Sequence, residues 1–397
     1  MATRELKPGV HAVGVIDWDR RLFDALIPLP HGTSYNAYLI RGDEKTALIE
    51  TVDITKEEDL VRNLIALGVD RIDYIVANHA EQDHTGSLPM MLELFPNATV
   101  LASEKCKELL TLLLQVPAER IQAVKDGEQV ALGGKTLQFF MTPWVHWPDT
   151  MVTYLPEEKI LFSCDYLGSH LATSDLFATD EVTVYETAKR YYAEIMMPFR
   201  SSARSHLARV RSLQVDFIAP SHGPVYNRPA FILDAYEDWT SDAVKNEVVI
   251  PYVSMHGSTQ KMVDYLCGAL IRRGIRVKPY NLPYADVGEI ARALVDAATV
   301  VIGTPTVLFG AHPAAVYAAY LVSALHPKTR CASIIGSYGW GGTTVNQLSE
   351  ILGKMHLDIV DPVFIKGYPG EADLTALDQL ADAILAKHRE YGIVASQ

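Results

Sequence analysis

Short apolar runs of strand length recur through the first half of the chain: "HAVGVID", "YNAYLI", "TALIET", "DYIVAN", "TVLAS", "TLQFFMT", "MVTYL", "KILFS" and "DFIAPS". Each is rich in β-branched or aromatic residues and bounded by polar or turn-forming ones, as strands are. Between them, "KEEDLVRNLIALG" and "SEKCKELLTLLLQ" repeat apolar positions at helical spacing. The mixture predicts packed sheets with helices outside. A polar stretch, "TSDAVKNE" at 240–247, follows the helical pattern "AFILDAYEDW", and beyond it the rhythm becomes regular. The runs "VVIPYV", "IRVKPY", "TVVIGT", "CASIIG" and "IVDPVFI" alternate with helical segments, which predicts an α/β doubly wound parallel sheet. The expected domains are therefore 1–245 and 246–397, with the boundary near Asn246.

Composition narrows the partners. Acidic residues outnumber Lys and Arg by 48 to 35, a formal net charge of −13 that repels phosphate backbones and anionic membranes, so neither nucleic acid nor membrane is expected. The start "MATRELKPGVHAVG" lacks the apolar core of a signal peptide, and no apolar run reaches bilayer-spanning length; a cytoplasmic location is the expectation. The cysteines, Cys106, Cys164, Cys267 and Cys331, are widely separated in apolar surroundings and read as buried small hydrophobes. With no CxxC pair, iron–sulfur, rubredoxin-type and thioredoxin-type sites are disfavoured, and any electrons must come from elsewhere.

The densest chemistry lies in "NHAEQDHTGSLP", residues 78–89. On an extended backbone His79, Glu81 and Asp83 lean the same way, and a turn at Gly86 is expected to bring His84 around. Three further segments end an apolar strand with a possible ligand: His146 in "WVHWPD", Asp165 after "KILFSC" and His222 in "PSHGP". A lone histidine at a strand end is more often simply hydrogen-bonded, and Asp165 alone reads as a turn residue. The compact group is different, because its carboxylates repel one another unless a cation neutralises them. A hydrolytic zinc site is expected to carry histidine where Glu81 stands. Mixed carboxylate and imidazole ligands suit iron or manganese. The rival reading is a dizinc metallo-hydrolase with an accessory second domain.

In the second half, Ser254, Met255, His256, Gly257, Ser258 and Thr259 lie between a strand and a helix and offer hydroxyls and backbone N–H groups to a monophosphate. Thr304, Pro305, Thr306 and Val307 follow the third strand, and Ser337, Tyr338, Gly339, Trp340, Gly341 and Gly342 follow the fourth. Three such loops share the carboxyl edge of a doubly wound sheet, where glycine admits a flat ring and an aromatic can stack on it; FMN is the expected ligand.

The His-x-Glu-x-Asp-His pattern with a distant His, Asp and His resembles the metallo-β-lactamase superfamily, and with Glu at its third position it is similar to the flavodiiron proteins. The second half resembles flavodoxin, so the likeness spans essentially the whole chain. The resemblance implies an αββα sandwich before the flavodoxin-like sheet, with one iron on His79, Glu81 and His146, a second on Asp83, His84 and His222, and Asp165 bridging. It further implies reduction of dioxygen to water, of nitric oxide to nitrous oxide, or both. Electrons are expected from an external donor such as rubredoxin, a reduced deazaflavin or another flavoprotein. A head-to-tail homodimer, or a tetramer of dimers, would set the FMN of one subunit against the irons of the other. His256 departs from a tryptophan common among relatives, and Leu308 and Phe309 depart from an asparagine pair; fewer polar contacts to the flavin are expected to lower its potential. Trp147, Tyr191, Tyr192 and His170 are candidates for the pocket wall. Core packing is the plainer reading of the two tyrosines, and His170 is a candidate proton donor.

Overall fold

The computed structural model describes residues 3–395. The chain divides into two compact units, 1–240 and 241–397, ahead of the boundary expected at Asn246. Among the described residues no helix is long and apolar enough to cross a membrane.

The first unit contains two stacked sheets. One orders its strands Arg4–Lys7, Val10–Ala12, Tyr38–Arg41, Thr46–Ile49, Tyr74–Ala77, Thr99–Ala102 and Ile121–Ala123; the other runs Gln129–Ala131, Thr136–Met141, Met151–Leu155, Ile160–Cys164 and Phe217–Pro220. Alternation along each strand explains the layers. Leu48, Ile75 and Val100 pack under Leu60, Leu64, Met91 and Leu110 of the outer helices, whereas Ala47, Ile49, Val76 and Leu101 face Leu137, Phe139, Met151 and Phe162 of the other sheet. The strands are apolar on both faces because both are covered, which is the αββα sandwich the resemblance implied.

The run "HAVGVID" forms two strands, not one. It breaks at Gly14 into Val10–Ala12 and Val15–Asp17, which join different sheets. A Cβ at Gly14 would stand 2.3 Å from the Tyr35 carbonyl oxygen, so the crossing is passable only to glycine.

In the second unit the parallel strands take the order Arg276–Asn281, Lys245–Tyr252, Ala297–Val307, Cys331–Tyr338, then Asp358–Ile359 with Val363–Lys366. That is the flavodoxin-like order, whose switch point lies between the first and third strands in sequence. The run "IVDPVFI" also splits, at Pro362, which has no N–H to give the ladder. Cys106, Cys164 and Cys331 are buried as expected, while Cys267 is half-buried.

Candidate functional site

All four strand ends anticipated from the sequence carry their residue to one place. The strand Tyr74–Ala77 leads to His79, Thr136–Met141 toward His146, Ile160–Cys164 to Asp165 and Phe217–Pro220 to His222. The local path after His79 differs from the extended one expected. Glu81 is extended (φ −64°, ψ 143°), but Gln82–Thr85 form one helical turn that Gly86 continues (φ −56°, ψ −33°). Gly86 is therefore not a turn residue; its missing side chain admits Ile54, whose amide nitrogen would lie 2.9 Å from a Cβ there. The helical turn sends Asp83 and His84 to one cluster while His79 and Glu81 remain in another.

Those clusters are distinct. His79, Glu81, His146 and Asp165 present ligand atoms within 4.8 Å of one another, and Asp83, His84 and His222 do the same. Asp165 joins them. Its Oδ2 lies 3.2 Å from His79 Nε2 and 3.3 Å from His146 Nε2, and its Oδ1 lies 2.9 Å from His84 Nε2 and 3.4 Å from His222 Nε2. Glu81 Oε2 is 3.0 Å from both His79 and His146 Nε2, and Asp83 Oδ2 is 3.0 Å from His222 Nε2.

The donor set fits a pair of metal ions. Both Asp83 oxygens, Asp165 Oδ1 and His84 Nε2 are enclosed and in close ion-pair contact with their neighbours, yet none is aligned as a hydrogen bond. Buried polar atoms are ordinarily satisfied, so atoms this near that point past one another mark a common cationic centre.

Without metal, the imidazoles and carboxylates pair. Burial alone would lower His222, but its close contacts with the Asp165 and Asp83 carboxylates outweigh it and raise it to about 10. Burial is likewise outweighed at His146, which hydrogen bonds to Asp165 and Glu81 raise to about 9. His79 stands well above the usual range for the same reason. Burial works against the Asp165 carboxylate too, yet His84 and the hydrogen bonds from the other three histidines hold it well below the ordinary range.

The outer partners were not legible in the sequence. His222 Nδ1 donates to the Ser34 carbonyl at 2.6 Å. Asn36 staples the same loop, its side-chain amide donating to the Pro220 and Gly223 carbonyls at 2.8 and 2.7 Å. Asp149 lies 3.7 Å from His79 Nδ1 and accepts from the Ala80 amide at 2.8 Å. These contacts join positions more than sixty residues apart and leave no local pattern; only the polar "TSYN" within an apolar run could have hinted at them.

Of the wall candidates, three reach the clusters. Trp147 sets its ring edge-on to His79 with centroids 4.9 Å apart, Tyr191 lies 5.9 Å from His222, and His170 lies 4.7 Å from His222. Tyr192 does not. One position further along the helix it points elsewhere, donates to the Trp239 carbonyl at 3.2 Å and packs on Tyr236 and Trp239. Packing is thus the role of Tyr192.

The three loops of the second unit also meet. Ser254 Oγ accepts from the amides of Gly257 and Gln260 at 3.2 Å, and Ser258 Oγ lies 2.8 Å from Ser337 Oγ, tying the first loop to the last. Thr306 and Thr344 hydroxyls lie 2.8 Å apart, and the Thr343 amide donates to the Phe309 carbonyl at 2.7 Å. Thr259 Oγ1, in the first turn of the helix Ser258–Arg272, is buried without a partner. An orphaned hydroxyl at a helix N-terminus fits a phosphate. No atom would crowd a Cβ at Gly257, Gly339 or Gly341, and Trp340 is 84% exposed, so a flat ring has space beside a stacking partner.

Residues 33–223 match the ODP family beta lactamase. The chain is 35% identical over 359 residues to a nitric oxide reductase from Moorella thermoacetica, covering 89% of this chain and 90% of the relative. Its fold is similar to that of rubredoxin oxygen:oxidoreductase from the anaerobe Desulfovibrio gigas, with a TM-score of 0.94, 31% identity, and 98% and 99% of the two chains covered. It is similar also to the flavodiiron protein from Giardia intestinalis, with a TM-score of 0.91, 29% identity, and 98% of each chain covered. Each of these likenesses runs through both units and covers about nine-tenths or more of both chains, and the chain belongs to the flavodiiron family.

Proposed function

We propose that this oxidoreductase reduces dioxygen to water, nitric oxide to nitrous oxide, or both, at two iron ions fed by FMN. The observation that carries the reading is Asp165, whose two oxygens are divided between two ligand clusters. In this reading His79, Glu81 and His146 would hold one iron and Asp83, His84 and His222 the other, with Asp165 shared between them. The iron site belongs to the unit 1–240 and the FMN loops to the unit 241–397. When bound, the metal pair offers a diatomic gas two adjacent attachment points and stores electrons, while FMN collects electrons in ones or twos.

The residues of the chain bind, orient and exclude. The Ser34 carbonyl takes the Nδ1 hydrogen of His222 and so leaves its Nε2 lone pair for a metal. Asp149 faces the corresponding nitrogen of His79. Phe23, Trp147 and Tyr191 line the clusters with apolar surface that keeps bulk water away. Ser254, Met255, His256, Gly257, Ser258 and Thr259 are assigned to the FMN phosphate. Thr304, Pro305, Thr306 and Val307, with Ser337, Tyr338, Gly339, Trp340, Gly341 and Gly342, are assigned to its ring.

The complete reaction with dioxygen takes four electrons, and coupling two nitric oxide molecules takes two, so a donor outside the chain is needed. We assign that role to rubredoxin, a reduced deazaflavin or another flavoprotein, acting on a cytoplasmic head-to-tail homodimer or tetramer of dimers. The test is to load the protein with ferrous iron and FMN, fix its assembly by sedimentation, reduce it anaerobically and mix it with each gas. Rapid reoxidation with formation of water or nitrous oxide is expected. A protein that retains only zinc and hydrolyses esters or amides without reductant would favour the hydrolase.

One departure in the flavin loops has a measurable consequence. Leu308 and Phe309 form a two-residue turn between Val307 and Gly310, with φ of 51° and 66°. Both central positions of such a turn favour Asn or Gly, so bulky residues there carry strain. The Leu308→Asn, Phe309→Asn variant is expected to gain about 1 kcal/mol in chemical denaturation of the flavin-free protein. It is also expected to raise the FMN potential, because amides can donate hydrogen bonds to a reduced ring. An unchanged potential would remove the turn from any electronic role.

A further inference from the structure

His170 sits 7% exposed among three rings, with centroids 5.1 Å from Phe23, 4.8 Å from Tyr191 and 4.7 Å from His222. Its Nδ1 lies 2.9 Å from Thr33 Oγ1, whereas its Nε2 is buried with no hydrogen-bond partner. The neighbours constrain where the hydrogens are. Because the Ser34 carbonyl can only accept, His222 Nδ1 carries a hydrogen and spends it there, at 2.6 Å. The Thr33 hydroxyl can donate to the Ser34 oxygen at 3.4 Å or to His170 Nδ1 at 2.9 Å, and the shorter contact is taken as the one it donates to. His170 Nδ1 is then an acceptor, and the ring hydrogen is on Nε2.

Packing does not account for this arrangement. A leucine or phenylalanine would fill the space without burying an unsatisfied N–H, which native structures avoid. That geometry gives His170 a fixed, preorganised hydrogen-bond donor beside the second ligand cluster.

We infer that His170 Nε2–H donates a hydrogen bond to the small gas molecule bound at the clusters, and that Thr33 is the positioning residue that holds the required tautomer. The inference rests on the gas-reductase reading above. As a diatomic oxygen- or nitrogen-containing ligand gains electron density, a donor already in place strengthens its hold without reorganising, which favours the reduced end of the reaction over the start. The group recognised is any small linear ligand with a basic terminal atom, azide as well as nitric oxide and dioxygen.

The test uses holoprotein carrying iron and FMN, with azide and nitric oxide as probes and His170→Leu, His170→Gln and Thr33→Val as variants. In the oxidised protein, His170→Leu is expected to weaken azide binding roughly tenfold, the loss of one hydrogen bond to a charged ligand. In the reduced protein it is expected to raise the N–O stretching frequency of bound nitric oxide in the infrared. Thr33→Val should shift both in the same direction by less, although it cannot touch the ligand, and His170→Gln, which keeps a donor, should recover part of each. Unchanged azide affinity and N–O stretch in an iron-replete His170→Leu protein would overturn the inference; if that variant loses iron or fails to fold, an unaltered Thr33→Val would do the same. Wild-type protein that holds its iron but binds neither probe would count against the gas-reductase reading itself, whereas wild-type binding with insensitive variants counts against His170 alone.

Discussion

Asp165→Asn is expected to lower the turnover of either gas by at least about a hundredfold and to leave the chain with one iron or none. Loss of an outer partner of a ligand already costs about 10- to 100-fold in metal affinity or activity, and Asp165 belongs to both ligand clusters. Asparagine offers one carbonyl oxygen in place of two anionic ones, and its amide hydrogens would face His79 and His146 or His84 and His222. His222→Asn provides the contrast, since His222 approaches Asp83 and only one of the Asp165 oxygens. It should deplete one iron and spare the other. Iron per chain, Mössbauer spectra and gas consumption distinguish the two. An Asp165→Asn protein with full iron and near-normal turnover would mean that the carboxylate bridges nothing.

Iron uptake by the metal-free protein at neutral pH is expected to release protons, one each from His146 and His222 at least. Their pKa values of about 9 and about 10 keep both imidazoles charged at neutral pH, and a metal ion binds only the neutral ring. The stability of the metal-free protein follows from the same values. A histidine raised in the folded state stabilises it fully below its unfolded value, about 6.5, and that contribution falls away as pH rises to the folded value. The metal-free protein should therefore lose stability progressively from about pH 6.5 up to about 9 and 10. Asp165, depressed by the same pairing, acts at the other end, its contribution present above the ordinary carboxylate range and lost as pH falls toward its lowered pKa. Iron-loaded protein should lack the alkaline decline, because the metal has replaced the protons. Unfolding curves under argon across pH, with a pH-stat trace during ferrous iron addition, test both halves. Uptake without proton release, or a metal-free protein equally stable to pH 10, would show that the histidines are not paired as described.

Where the sequence misled, a neighbour distant in the chain was responsible. "HAVGVID" has strand chemistry throughout, but the backbone crosses Tyr35 at Gly14 and changes sheets. His79, Glu81 and Asp83 have the spacing of one strand face, yet close approach of Ile54 to Gly86 accompanies a helical turn, and Asp83 parts from Glu81. Tyr191 and Tyr192 are the same residue twice in sequence. In a helix consecutive side chains point in different directions, so one reaches His222 and the other Trp239. Asn36, Asp149 and Thr33 carry no local mark of their roles, because each acts on a side chain or loop from another part of the fold.

By itself the sequence determined the two-part α/β organisation, the seven side chains that could hold metal and the three loops at the edge of the second sheet. Those are matters of periodicity and residue chemistry, and both are written locally. The division of the seven into two clusters sharing Asp165 was implied by the family resemblance and not by periodicity; the tertiary structure alone decided the distances between them, which nitrogen of His222 faces the Ser34 carbonyl, and which tyrosine faces the site. Each of these depends on distances of about 3 Å between residues far apart in the chain, the range in which hydrogen bonds and metal ligation discriminate and in which strand and helix patterns carry no information.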